Sequence, residues 1–169
     1  CEKTGAKIDE VADAVGMDSR IGSKFLKASV GFGGSCFKKD ILNLVYLCKY
    51  FNLYEVAEYW ENVLKINDFQ KKRFSHKIIN TLKTIKDNPT ISVLGWAFKK
   101  DTNDTRESPS IEICLNLLEE GAILSIHDPK VEAAQIENDF RDKNVHESSN
   151  WSYSSTIEET IKDSHAVVI

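Results

Sequence analysis

The chain has 169 residues and a formal net charge of −4, room for one good domain or two small ones. That acidic balance argues against a nucleic-acid binder, which would carry a basic face. No apolar run approaches the roughly 18 residues of a membrane helix, and the opening residues show no basic-then-apolar leader pattern.

Cys1, Cys36, Cys48 and Cys114 are scattered, with no C-x-x-C and no Cys/His cluster. We therefore expect no metal site, free thiols and a cytoplasmic setting. The chain starts at Cys1-Glu2-Lys3 without Met and stops inside an apolar run, His165 to Ile169. Both ends lead us to expect a piece of a longer protein.

Residues 4–15 have a helical spacing, with Ile8, Val11, Ala12 and Val15 on one face and Gly16 as a stop. Residues 17–30 are mixed. Asp18 can cap a short turn holding Arg20, and Lys24 and Lys27 precede a glycine loop; from the residues alone these cations are solvated surface. The loop is Gly31-Phe32-Gly33-Gly34, and its glycines allow positive φ and close approach of a ligand. Ser35 is a cap candidate. Ile41, Leu44, Val45 and Cys48 then mark one helical face, so the spacing predicts a helix from Ser35 to about Tyr50. Cys36 falls in its first turn, where exposed N–H groups and the dipole favour a thiolate. Lys38 and Lys39 add positive charge, and Asp40 shares the face of Cys36 four residues on. A nucleophile and a carboxylate able to handle water are thus gathered in five residues. The plainer reading of a lone cysteine is a small buried hydrophobe.

Asn52 predicts a break. A second helical pattern covers roughly 54–84, carried by Val56, Trp60, Val63, Phe74, Ile78 and Leu82. It is either one spine-like helix or two with a kink near Asn67-Asp68. We expect Lys71-Lys72-Arg73 to be a solvated face and His76 a surface or packing residue.

After the turn signal Asp87-Asn88-Pro89 the pattern changes. Thr90 to Gly95 predicts a buried strand, Pro109 the first turn of a helix ending before Gly121, and Ala122 to Pro129 a second strand, together a βαβ unit. A weaker helix is expected near 131–140, a loop over 141–151, a short helix from Ser155 to Lys162 and a third strand at His165–Ile169. The polar loop 96–108 follows a strand's carboxyl end, where open α/β sheets bind ligands. Its lysines, arginine and helix start suit anionic phosphate. The dinucleotide fingerprint G-x-G-x-x-G is absent. Asp128 ends the second strand, where it either holds a ribose or makes a turn with Pro129 and Lys130. His127 and His165 are given no role.

The run Gly31 to Asp40 resembles the catalytic-cysteine motif of the UDP-glucose/GDP-mannose dehydrogenase family, and the wider stretch Arg20-Ile21-Gly22 to Val30 resembles it too. Loop 96–108 resembles that family's uridine-nucleotide domain. Lys38 departs from the Gln or Pro usual there, and Asn103 from the Gly of some relatives. The resemblance implies an α/β protein: an all-helical central dimerisation domain over 1–84, then a partial Rossmann-like parallel domain over 85–169. It implies oxidation of the C6 alcohol of UDP-glucose to a carboxylate with two NAD. Cys36 would be the nucleophile, forming a thiohemiacetal and then a thioester, and Asp40 would activate water. Arg20, Lys27, Ala28, Ser29, Val30, Gly31, Phe32, Gly33, Phe98 and Lys99 would contact substrate, Arg20 by reaching the neighbouring subunit's site. Cys36, Phe37, Lys38, Lys39 and Arg106 would contact NAD. The partner implied is a second copy of the chain, as a dimer building block and up to a hexamer. The family's NAD domain, with its catalytic lysine, asparagine and glutamate, would lie upstream. Alternatives left open are a sibling enzyme acting on GDP-mannose or a UDP-N-acetyl sugar, and a module that only assembles.

Overall fold

A computed structural model describes residues 1–144 and 150–169. Cys1–Val30 and Gly31–Ile169 form separate compact units. The first contains helix α1 (Ile8–Gly16), shorter at its start than the expected 4–15 and without a buried residue. Its turn is tied locally: the Met17 N–H donates to the Asp13 carbonyl at 3.1 Å, and Asp18 accepts from the Arg20 backbone N–H at 2.9 Å.

The second unit opens with α2 (Phe37–Tyr50) and α3 (Tyr54–Leu82). Asn52, at φ 58, makes the turn between them, a left-handed conformation that Asn tolerates. The Leu53 N–H reaches back to the Cys48 carbonyl at 2.8 Å and closes the end of α2. The apolar stripe of α2 (Ile41, Val45, Cys48) packs with Ala57 of α3, joined by Phe32, Leu44, Trp60, Val63 and Leu64. Helix α3 is unbroken for 29 residues, so no kink occurs at Asn67-Asp68.

Strands β1 (Thr90–Leu94), β2 (Ile123–His127), β3 (Trp151–Tyr153) and β4 (Ala166–Val168) form one parallel sheet in the order β3-β2-β1-β4. Between them run α4 (Pro109–Glu119), α5 (Ala133–Arg141) and α6 (Ile157–Ile161). Pro109 stands in the first turn of α4 as expected. Ile91, Leu124, Ile126, Ile136 and Phe140 fill the core. Strand β3 corrects the expected loop over 141–151, of which 145–149 lie outside the described residues. Its three-residue Trp-Ser-Tyr alternation is too short to stand out, yet it pairs with β2 from Leu124↔Trp151 to Ile126↔Tyr153. The terminal strand is accordingly the fourth, and it pairs with β1. The chain builds outward from β1 through β2 to β3 and then returns to the other side of β1. The loop after β1 therefore leaves the sheet beside the reversal of strand order, where such sheets take ligands.

Candidate functional site

Cys36 is exposed and occupies the N-cap of α2. This corrects two expectations. Cys36 precedes the first helical turn, and Ser35 is not the cap: its hydroxyl lies 3.6 Å from the Cys36 sulfur. The Asp40 N–H donates to the Cys36 carbonyl at 2.9 Å, the first bond of the helix, and leaves Asp40 exposed one turn on. Cys114 contrasts with Cys36, since it is fully buried and burial pushes its thiol well above the ordinary range.

The glycine loop is held against the loop that follows β1. The Gly34 N–H donates to the Arg106 carbonyl at 2.9 Å. A Cβ on Gly34, at φ 92, would stand 2.8 Å from the Phe98 ring. A Cβ on Gly33 would run into the Glu107 carbonyl and sit 2.9 Å from Pro109 Cδ. Side chains add a further tie, because Lys38 Nζ donates to Glu107 at 2.7 Å. Lys38 is thus bonded across the two loops, while Lys39 stays exposed.

The second loop folds on itself. The Phe98 N–H donates to the Asp104 carbonyl at 3.0 Å. The Asp104 carboxylate takes three bonds from Arg106: its N–H at 3.0 Å, Nε at 2.9 Å and Nη2 at 2.8 Å. The Arg106 side chain holds the Asp104 carboxyl below the usual range. In return the guanidinium is raised, chiefly by its hydrogen bonds to Asp104. Lys99 Nζ stands 5.2 Å from the centre of the half-buried Phe98 ring. Ser35, Lys39, Arg106, Glu107 and Lys143 are among the residues lining a cleft of about 550 Å³ beside the cysteine loop.

Asp128 holds this corner together. Its Oδ2 accepts from the Trp96 and Ala97 N–H groups at 2.7 and 3.1 Å, and its Oδ1 from Lys130 and Val131 at 2.7 and 2.9 Å. Burial pushes its pKa up, but the four amides outweigh burial and leave it lowered. Its carboxylate is committed to backbone, so it serves the turn.

In the first unit Lys27, Ala28 and Ser29 are exposed and Val30 is half-buried. Arg20 Nη2 pairs with Asp18 at 2.5 Å. Gly31, Phe32 and Gly33 are half-buried within the loop, and Phe37 is exposed.

Two polar residues were hidden from sequence reasoning. Lys71, expected in a solvated face, is 4% exposed, with Nζ 2.9 Å from Asp68 and 2.5 Å from Glu112. Desolvation works to lower its pKa, yet the two carboxylates outweigh it and hold it raised. Asn67 is also buried, and its amide meets the Phe32 backbone. The signal for both was their i, i+4 spacing on α3, masked by polarity and readable only once the facing backbone is known. Among the described residues no cluster of metal-ligating side chains occurs and no helix is long and apolar enough to cross a membrane.

Comparison with known proteins adds an independent line. Residues 1–69 match the central domain of the UDP-glucose/GDP-mannose dehydrogenase family and residues 92–169 match its UDP binding domain. The chain belongs to this family. It is 60% identical to UDP-glucose 6-dehydrogenase of Drosophila melanogaster over 148 residues, 88% of this chain and 31% of that protein. To the Pongo abelii enzyme of the same name it is 55% identical over 173 residues, 100% of this chain and 35% of that protein. A UDP-glucose dehydrogenase structure from Pyrobaculum islandicum superposes with TM-score 0.79 at 29% identity, covering 98% of this chain and 36% of that one. A GDP-mannose dehydrogenase from Pseudomonas aeruginosa gives 0.68 at 25%, covering 99% and 38%. The chain spans about a third of the length of the curated relatives it matches.

Proposed function

We propose that the chain is the central and nucleotide-binding portion of an NAD-dependent UDP-glucose 6-dehydrogenase, with a helical region over 1–84 and a UDP-binding region over 85–169. The observation that carries the reading is Cys36: an exposed sulfur at a helix start, on a glycine loop whose Gly34 N–H is bonded to the Arg106 carbonyl. In this reading the sugar's C6 alcohol is first oxidised to an aldehyde. The Cys36 thiolate adds to the aldehyde carbon, a C–S bond forms and the carbonyl oxygen takes a proton. Oxidation of this thiohemiacetal gives a thioester. Water, oriented by Asp40, adds to its carbonyl carbon and releases the Cys36 thiol and the carboxylate product. When bound, NAD supplies the hydride acceptor for both oxidations. Lys39 and Arg106, which share the lining of the cleft beside Ser35 with Glu107, Asp139 and Asp142, are assigned to the NAD phosphates, with Cys36, Phe37 and Lys38 alongside. Lys27, Phe98, Lys99 and the backbone of 28–33 are assigned to UDP-glucose, and Arg20 to the site of a neighbouring subunit.

The test is NADH formation by the full-length protein with UDP-glucose, GDP-mannose and a UDP-N-acetyl sugar offered separately. UDP-glucose should be preferred, and Cys36→Ser should lower carboxylate formation by at least about 1,000-fold. Preference for another sugar, or full turnover by Cys36→Ser, overturns the reading. The 169-residue chain alone should give no turnover, since it has no G-x-G-x-x-G to seat a pyrophosphate.

Assembly belongs to the same proposal. Tyr46, Tyr50, Phe51, Tyr54, Tyr59 and Phe69 are exposed along α2 and α3, an apolar surface suited to a second copy of the chain. Sedimentation at micromolar concentration should give a dimer or larger; a monomer throughout counts against it. The cytoplasmic setting belongs to the proposal as well and is supported by the four free cysteines.

A further inference from the structure

We propose that Asn67 is the positioning residue of the Cys36 loop, its side-chain amide clamping both backbone polar groups of Phe32 and thereby setting where the sulfur lies. The inference rests on the role given to Cys36 above and extends it to a residue 31 positions beyond the sulfur, outside the glycine motif. The Phe32 N–H donates to Asn67 Oδ1 at 2.8 Å, and Asn67 Nδ2 donates to the Phe32 carbonyl at 3.1 Å. One donor and one acceptor are matched on each side, so the backbone fixes which way the amide points. Asn67 is 8% exposed, and a buried amide whose partners are removed is left at a loss.

The surroundings allow little slack. A Cβ on Gly31 would stand 2.8 Å from Asn67 Oδ1 and 3.2 Å from Lys71 Cγ. One turn further along α3, Lys71 is bonded to Asp68 and to Glu112 of α4. The helix that carries Asn67 is therefore itself tied to the nucleotide-binding half. On the other side the Phe32 ring meets Phe37 edge-on, with centroids 4.6 Å apart, and Phe37 directly follows Cys36. Displacing the Phe32 backbone would move a ring packed against the residue next to the sulfur. Misplacing a nucleophile by about 1 Å is enough to lose about 100-fold in rate.

Two variants of the full-length protein separate positioning from mere support of the fold. Asn67→Asp keeps the shape and an acceptor, but its ionised form has no donor and sets a carboxylate against the Phe32 carbonyl. When protonated it regains a donor and an acceptor. At pH 8 kcat should fall roughly 10- to 100-fold with the KM for NAD within about twofold. The deficit relative to wild type should shrink on acidification, as the new carboxyl, which faces the Phe32 N–H and lies one turn from Asp68 and Lys71, takes up a proton and regains a donor. Asn67→Ala should show a loss that acid does not recover. Equal, pH-independent deficits in the two variants, or wild-type kcat in both, overturn the proposal. If neither variant folds, hydrogen exchange of the wild-type Phe32 amide decides. Protection of about 100-fold or more for this loop amide supports the clamp, and exchange at the unprotected rate overturns it. The rate of Cys36 alkylation by iodoacetamide gives a reading without sugar or NAD. A protein inactive on UDP-glucose whose alkylation rate shifts in Asn67→Ala would sink the functional reading and leave the clamp standing.

Discussion

Residues 17–30 and residues 31–40 adjoin in sequence but are held in different ways. In the first stretch the bonds described above are local: the Arg20–Asp18 pair spans two positions and the Met17–Asp13 bond four. Phe25 is 94% exposed and Lys27 is also open. The second stretch has few local bonds and several distant ones, Phe32 to Asn67, Gly34 to Arg106 and Lys38 to Glu107. Both contain glycine, lysine and serine. Among the bonds described, the difference lies in their span, since distant polar groups that receive a loop's N–H and C=O groups fix its position.

Glycine substitutions should break this contrast most plainly. Gly33→Ala puts a methyl group into the Glu107 carbonyl, and backbone cannot rotate away as a side chain can. We expect a loss of about 3 kcal/mol and a melting temperature lower by about 6–12 °C, read by circular dichroism. Gly34→Ala adds a positive φ to a clash with the Phe98 ring. The ring can shift, so about 2 kcal/mol is expected, with the Phe98 ring NMR shifts reporting the movement.

Removing a remote anchor should cost less. Glu112→Ala leaves the buried Lys71 ammonium with Asp68 alone, about 1–2 kcal/mol by denaturant titration. The raised Lys71 pKa fixes the pH dependence. A lysine raised on folding stabilises fully below its unfolded value near 10.4 and loses that contribution as pH rises through its folded value. The difference between wild type and Glu112→Ala should therefore be flat through neutral pH and narrow only in strong alkali.

The smallest effect is expected in the first region. Gly22 also has a positive φ, 72, but a Cβ there would meet nothing within 4 Å. Gly22→Ala should cost about 1 kcal/mol, the strain of the positive φ alone. A melting shift as large as that of Gly33→Ala would erase the comparison. Trypsin should cut after Lys24 or Lys27 before it cuts within α3, as cleavage follows the least protected backbone.

Much of this architecture was legible in the residues. The stripe Ile41-Leu44-Val45-Cys48 marked α2, Pro109 and Gly121 bracketed α4, and β-branched runs marked β1 and β2, because period and punctuation are local properties. Cys36 was legible as an exposed thiol at a helix start for the same reason. Asn67 and Lys71 were not. Polar letters on a long helix suggest water, and only the partners Phe32 and Glu112, 35 and 41 positions away, turn them inward. Strand β3 was missed because three residues carry too little alternation. Asp128 left two readings open until four backbone amides were found on its carboxylate.

The UDP binding match begins at residue 92 and the central-domain match ends at residue 69, within α3, which runs unbroken from Tyr54 to Leu82. At about 44 Å it is a shaft with no hinge in it. If the chain is divided after residue 69, its bonds sort themselves. Asn67 stays with Phe32, and Lys71 stays with Glu112. Gly34 to Arg106 crosses the division but joins backbone to backbone, so it survives any choice of side chains. Among the hydrogen-bonding side-chain pairs described above, Lys38–Glu107 and Asp68–Lys71 straddle it. A hybrid spliced at this point from two relatives would inherit the Cys36 loop from one parent and the parallel sheet from the other, with the shaft preserving their alignment.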